Sequence, residues 1–373
     1  THSGTWLGAI AFADLFPTII LTPLAGILAD RFDRLVLAKW LQVIAVIQAL
    51  ALAVLAFTGL VTVELLFILT LISGADQAFY QPVRSAMTPN LVAKDDLPAA
   101  IAINSVSWNS ARFIGPAIAG IILVYGSASY TFVFNAITYV TFLIALWNIR
   151  LAPEARGKRT TVAVGALAEL REGYAYAFSH SVIGPILIIL GVASLFGRPV
   201  VELLPGFAAQ VFGRGPEGLA WLTSAMGAGA VVAGMWLAMR GRTRGLVTLA
   251  VFAPFFTALF LLMFTYTARF EIAVLCMAGA GVMYVTTGTT IQTIIQTVAD
   301  PAIRGRVLAL YGMIWMGGAS VGALFMGILS EWFGLKAPIA GGAVVILAMC
   351  LWSFRVRRPI ARLVEGRLRD NPG

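Results

Sequence analysis

Charge is scarce in this chain: of 373 residues only 12% are Asp, Glu, Lys or Arg, where a soluble domain carries about 25%. Hydrophobic residues make up 60% and the mean hydropathy is +0.90, which leaves too little polar material to clothe a water-soluble fold. Cysteine and histidine are nearly absent, with two of each. Cys276 and Cys350 fall inside apolar runs and His2 and His180 near run boundaries, so a disulfide framework and a metal cluster are excluded. No Gly-rich loop ending in Lys is present to cradle a nucleotide phosphate, and no cofactor is expected. An initiator Met and a signal peptide are lacking as well.

What the chain has instead is long apolar runs. A helix needs about 20 apolar residues to cross the ~30 Å hydrocarbon layer. Eleven segments qualify: 7–28, 35–58, 61–83, 98–124, 129–149, 182–205, 217–239, 246–267, 271–298, 307–330 and 336–354. They are continuous and do not alternate with a period of two, so they predict an all-α polytopic membrane protein and not a barrel. The net charge of +9 is explained by topology, because 21 of the 26 Lys and Arg fall in loops on one side. That asymmetry places the loop at Asp30 and the C-terminus in the cytoplasm, and it argues against nucleic acid as a partner.

Eleven spans before a cytoplasmic C-terminus put Thr1 outside, which predicts a further helix upstream. An internal repeat agrees. A shift of 207 or 208 residues matches Gly26 with Gly234, Gly115 with Gly322 and Gly120 with Gly327, as for two copies of a six-helix unit whose first copy lacks its opening helix. The expected divisions are an N-terminal bundle at 1–149, a cytoplasmic linker at 150–180, a C-terminal bundle at 181–356 and a basic tail at 357–373. Within the linker, Leu167, Leu170, Tyr174 and Phe178 recur at helical spacing, so an amphipathic helix over 166–178 is predicted, with a solvated linker as the alternative.

Four charges interrupt the apolar sequence in "AGILADRFDRLVLAKW", residues 25–40. The pattern Gly26-x-x-x-Asp30-Arg31-x-x-Arg34 in a short cytoplasmic loop resembles the signature loop of the major facilitator superfamily, with Asp33 where Gly is usual and Leu35 where another base is common. The stretch "RSAMTPNLVAKDDLPAAIAINSVSWNSARFIGPAIAG", 84–120, resembles more narrowly the efflux branch that holds enterobactin-type siderophore and macrolide exporters. The resemblance implies two six-helix bundles that rock about a central site. It implies a latch in which Asp30 meets the positive end of the penultimate helix near Val307 when the cytoplasmic side is closed. Gly115-Pro116-x-x-x-Gly120 is similar to the family's antiporter motif, where Gly permits close helix approach and Pro bends the helix; plain packing explains the glycines equally well.

Ionisable side chains within a span cost at least ~2.5 kcal/mol at the bilayer centre, so each needs a partner, water or a function. Asp14, Asp76, Arg112, Arg198 and Glu202 qualify by position. At ~1.5 Å per residue Asp14 and Arg112 both lie about 21 Å from the cytoplasmic face, compatible with an ion pair, and Asp76 only about 10 Å. Arg198 and Glu202, four residues apart, predict a structural pair, with Glu202 as an alternative proton acceptor. The polar run "TTGTTIQTIIQT" at 286–297 places Gln292 and Gln296 on one face, and with Asn104 they are candidate cavity amides, interhelical bonding being the alternative. Phe79, Tyr80, Trp108, Met313, Trp315 and Met316 suit a lipophilic solute or simply face lipid. "GASVG" at 318–322 matches a hydrolase elbow by pattern, but it lies in mid-span with no strand before it and is read as small-residue packing.

With the resemblance, these residues predict a transporter and not an enzyme: the resemblance implies a monomeric, proton-coupled exporter of a small amphiphilic molecule, siderophore, drug or macrolide in character, working by alternating access. The alternatives are an importer on the same fold and a membrane sensor or scaffold that does not transport.

Overall fold

The computed structural model describes residues 3–87, 91, 103, 107, 111, 115, 118, 119, 122, 128–149, 166–240, 245–300 and 303–370; within these the side chains of 22–31, 85, 86, 128, 166–171 and 356–370 lie outside the description. No strand occurs among the described residues. Ten helical stretches there are long and apolar enough to cross a membrane. The expected span at 98–124 lies largely outside the described residues. Side chains such as Trp332, 81% exposed, Leu275, 70%, and Leu351, 68%, present apolar surface that lipid covers and water would not.

The chain divides into two compact units, Ala9–Val164 and His2–Gly8 with Gly165–Gly373. The first holds most of α1 (Gly4–Arg31), α2 (Arg34–Thr58), α3 (Val63–Met87) and α4 (Ala128–Asn148). Only Phe32 and Asp33 separate α1 from α2. Asp33 is the reason α2 starts where it does: its carboxylate accepts from Leu35 N at 2.9 Å and Val36 N at 3.3 Å, capping two otherwise unpaired donors. The residue that departs from the family pattern thus has a local task. Gly59 ends α2 in a left-handed conformation, φ 70°. Two buried glutamines tie α2 to its neighbours across the unit, Gln42 donating to Tyr139 O at 3.0 Å and Gln48 to Leu69 O at 3.1 Å.

The second unit is built from α5 (Ala166–Ser179), α6 (Ile183–Phe196), α7 (Val200–Gly206), α8 (Gly215–Arg240), α9 (Leu246–Tyr266), α10 (Phe270–Val298), α11 (Arg304–Phe333) and α12 (Lys336–Asp370). Its core is aliphatic and aromatic, with Leu203, Leu204, Phe207, Leu261 and Phe264 fully buried. Three local features shape this unit. α12 runs on through the basic residues of the tail to Asp370, where Ala361, Leu363, Glu365 and Leu368 are good helix formers. The span at 183–211 is interrupted, since Pro199 has no N–H to continue the ladder and bonds across the break run from Val201 N to Arg198 O at 3.0 Å and from Glu202 N to Pro199 O at 3.1 Å. Phe207–Val211 then forms a π turn.

The third concerns the polar run of α10. Its threonine hydroxyls return to the preceding turn, Thr286 to Val282 O at 2.7 Å, Thr287 to Met283 O at 2.8 Å, Thr293 to Thr289 O at 2.8 Å and Thr297 to Thr293 O at 2.8 Å. A threonine-rich helix therefore enters the membrane with its own donors satisfied.

The amphipathic linker helix forms as α5. Glu172 pairs with Arg306 of α11 at 2.6 Å, and Tyr176 Oη accepts from Asp300 N at 3.3 Å. On the opposite side Tyr174 and Phe178 stack at 4.6 Å and stay exposed, in keeping with an interfacial face. The glycines of "GASVG" pack against a broken helix: a Cβ on Gly318 would strike Ser194, and one on Gly322 the Leu195 carbonyl and Pro199. Among the described residues, nothing lies within 4 Å of such a Cβ on Gly115, the repeat partner of Gly322.

Candidate functional sites in the two units

In the first unit the helix crossing is set by Gly74. A Cβ there would collide with the carbonyl oxygens of Ala13 and Asp14, so α1 and α3 touch backbone to backbone at this level. Asp76 follows Gly74 by two residues, about 3 Å along the helix axis. The two acids thus sit at nearly one depth, and the separation of about 10 Å expected from counting residues is corrected. Both helices run past their assumed ends, α1 to Arg31 and α3 to Met87, so those two changes nearly cancel; counting from helix ends does not report the level at which two helices cross, and the Gly74 contact does.

Asp14 is exposed and Asp76 half-buried, and among the described residues the Asp76 Oδ1 is buried without a hydrogen-bond partner. Tyr139 of α4 lies within the electrostatic reach of both carboxylates. Tyr80, one turn after Asp76, rests edge-on against Phe142 at 6.2 Å. Apolar and phenolic groups frame two carboxylates, an arrangement suited to holding one proton between water and a low-dielectric wall.

In the second unit the break between α6 and α7 presents Arg198. Its Nη1 lies 3.4 Å from Met316 Sδ, and its guanidinium carbon is 6.0 Å from the centre of the Tyr284 ring. Tyr284 in turn packs against Trp315 at 4.5 Å with a tilt of 30°, and Trp315 lies nearly parallel to Tyr311 at 6.3 Å and 12°. Tyr311 Oη donates to Gly288 O at 3.1 Å. Gly288 makes the ladder possible: a Cβ there would come within 3.2 Å of Trp315 and 3.3 Å of Tyr311 Oη. Ser194, buried, donates to Ile314 O at 3.0 Å and clamps α6 to α11 beside the break.

The expected ion pair of Arg198 with Glu202 does not form. Glu202 is half-buried one turn further on, whereas the guanidinium turns to α10 and α11. The Pro199 break rotates the two residues off a shared helical face. Arg198 therefore has a thioether and a ring for company and, among the described residues, no carboxylate in ion-pair range. A cation–π contact is worth ~0.5–2 kcal/mol, less than the ~2.5–3.5 kcal/mol an arginine costs in mid-membrane.

The remaining predicted residues are scattered. Gly26, Asp30 and Arg31 lie in the last turns of α1, and Arg34 opens α2; the side chains of the first three lie outside the description. Arg112, Asn104, Pro116 and Gly120 are outside the described residues, and with them the Asp14–Arg112 pair. Gln292 and Gln296 are both exposed on α10. Reading the sequence missed Tyr284, Gly288 and Tyr311. The four-residue spacings Tyr284–Gly288 and Tyr311–Trp315 were a signal, though one that any buried helix face produces. An apolar pocket of about 310 Å³ lies among Phe196, Phe325, Met326, Phe333 and Val345, with no charged group to orient a polar solute.

Membrane-spanning helices in two compact units, each carrying ionisable groups at membrane depth, define a polytopic transporter. Residues 3–366 match the family described as transmembrane secretion effector, of the major facilitator superfamily, and the chain belongs to that family. It is similar to the staphyloferrin A transporter of Staphylococcus aureus, 26% identical over 98% of this chain and 90% of that protein. It is also similar to macrolide efflux protein A of Streptococcus pyogenes, 20% identical over 94% and 87%, and to the enterobactin exporter of Shigella boydii, 24% over 92% and 80%. Among solved structures, a D-xylose–proton symporter superposes with a TM-score of 0.74 at 16% identity, covering 95% of this chain and 88% of that one. At that identity the likeness shows the fold alone.

Proposed function

We propose that the chain is a proton-coupled exporter of a small amphiphilic molecule, working by alternating access in a bacterial inner membrane with its C-terminus in the cytoplasm. The named activities of the similar proteins, export of siderophores and macrolides, support the outward direction. The observation that carries the coupling is the pairing of Asp14 with Asp76 at one level, one of them with a buried oxygen that lacks a donor. A carboxyl so placed can take a proton from one side and release it to the other as its exposure changes. The loop at Asp30, Arg31 and Arg34 is proposed as the cytoplasmic latch, and the protein as a monomer.

The test is flux in proteoliposomes under an imposed pH gradient, with a panel of amphiphilic acids, neutral compounds and amines. Gradient-dependent movement out of the cytoplasmic-equivalent side is expected. Movement in the opposite sense would make the protein an importer. No gradient-dependent flux with any member of the panel would sink the transporter reading in favour of a sensor or scaffold.

A further inference from the structure

We propose that Arg198 is an anion anchor, binding the carboxylate of the transported molecule while a planar, apolar part of that molecule lies against the Tyr284–Trp315–Tyr311 ladder. This deepens the transporter reading and rests on it. Three observations point the same way. First, Arg198 sits in the interrupted span, at the Gly197-Arg198-Pro199 break, and broken membrane helices are where transporters place polar solute contacts. Second, the guanidinium has five N–H donors in a rigid fork, yet among the described residues its contacts are the Met316 thioether and the Tyr284 ring, which leave most of those donors open to a ligand. Third, the rings on α10 and α11 are arranged in sequence from that charge, with Gly288 kept small so that Trp315 and Tyr311 can lie against the helix.

The chemistry selects the ligand class. A planar guanidinium meets a carboxylate through two parallel hydrogen bonds, and a single cation balances one negative charge. Stacked aromatic faces accept a flat apolar body. A cationic amphiphile would meet like charge at Arg198 and be disfavoured. The site therefore sorts amphiphiles by charge, passing acids ahead of neutral compounds and amines.

The test uses the full-length protein in detergent and three matched probes: naphthoate, its methyl ester and naphthylmethylamine, with affinity read from the ligand-induced rise in melting temperature. Naphthoate is expected to bind at least tenfold more tightly than the ester, about 1.4 kcal/mol, with the amine weakest. Arg198→Gln should bring acid and ester within about twofold, Arg198→Lys should keep part of the preference for the acid, and Trp315→Leu should weaken acid and ester alike.

A wild-type protein that binds the acid no better than the ester, or an Arg198→Gln variant that binds the ester normally and still prefers the acid, overturns the proposal. So does competition by a short-chain phosphatidylglycerol with no acid preference, which would assign the guanidinium to a lipid phosphate. Failure of gradient-driven flux with the acid preference intact would instead count against transport and leave the anchor standing.

Discussion

The two units handle buried charge in opposite ways. In the first, two carboxylates on α1 and α3 are drawn to one level by a glycine crossing, with Tyr80 and Tyr139 beside them. In the second, one half-buried guanidinium sits at a proline break and is backed by a file of rings on α10 and α11. An acid can shed its charge by taking a proton, so it suits a coupling ion that comes and goes. An arginine keeps its charge at any working pH, so it suits a counter-charge that arrives with a solute. The division of labour proposed for the molecule, proton on one unit and anion on the other, follows from that chemical asymmetry.

The strongest way to break the comparison is to neutralise the acids. Asp76→Asn should lower gradient-driven flux on the order of 100-fold, as expected for loss of a proton-transfer group, while naphthoate binding stays at the wild-type level. Flux at wild-type rate in both Asp76→Asn and Asp14→Asn would remove the acid pair from coupling. Gly288→Ala sharpens the other half of the contrast. The added methyl pushes on Trp315 and Tyr311, and overpacking of this kind costs about 1–3 kcal/mol. Melting temperature and naphthoate affinity should both fall, whereas flux of a neutral substrate should suffer less than in the acid variants.

Two smaller effects compare how the units are fastened at their ends. Asp33→Ala removes the cap of α2 and should destabilise the protein by about 0.5–2 kcal/mol, with Asp33→Gly, the family's usual residue, costing only a few tenths. Equal melting temperatures for Ala and Asp at this position would show that the cap is idle. Glu172→Gln breaks the pair to Arg306 that fastens α5 in the second unit. Because both side chains are partly exposed, the loss should be within about 1 kcal/mol and shrink further at high salt, which thermal melts at two ionic strengths would show.

Much of the fold was legible in the sequence because lipid imposes a one-dimensional rule. Backbone groups must bond within their own segment, so each run of about 20 apolar residues becomes a helix whatever its neighbours do. The cap at Asp33 and the interruption at Pro199 are local too, and both could have been read more closely from the chain. The sites were harder to see. Arg198 and Glu202 are four residues apart and looked like a pair, yet the break turns one of them away. Asp14 and Asp76 looked mismatched in depth, yet Gly74 brings them level. Trp315 was singled out as an apolar residue, but what its ring meets on α10, Gly288 and Tyr284 at 27 and 31 positions away, could not be inferred from spacing within α11.

By itself, then, the sequence determined that this protein lives in a membrane, that it is helical and which residues carry charge into the bilayer. Only the tertiary structure decided which of those charges meet and what stands beside them. The physical reason is that hydropathy and periodicity record each helix against its solvent. The contacts of a side chain across helices depend on each helix's rotation and depth, and these are fixed where small residues let two backbones touch.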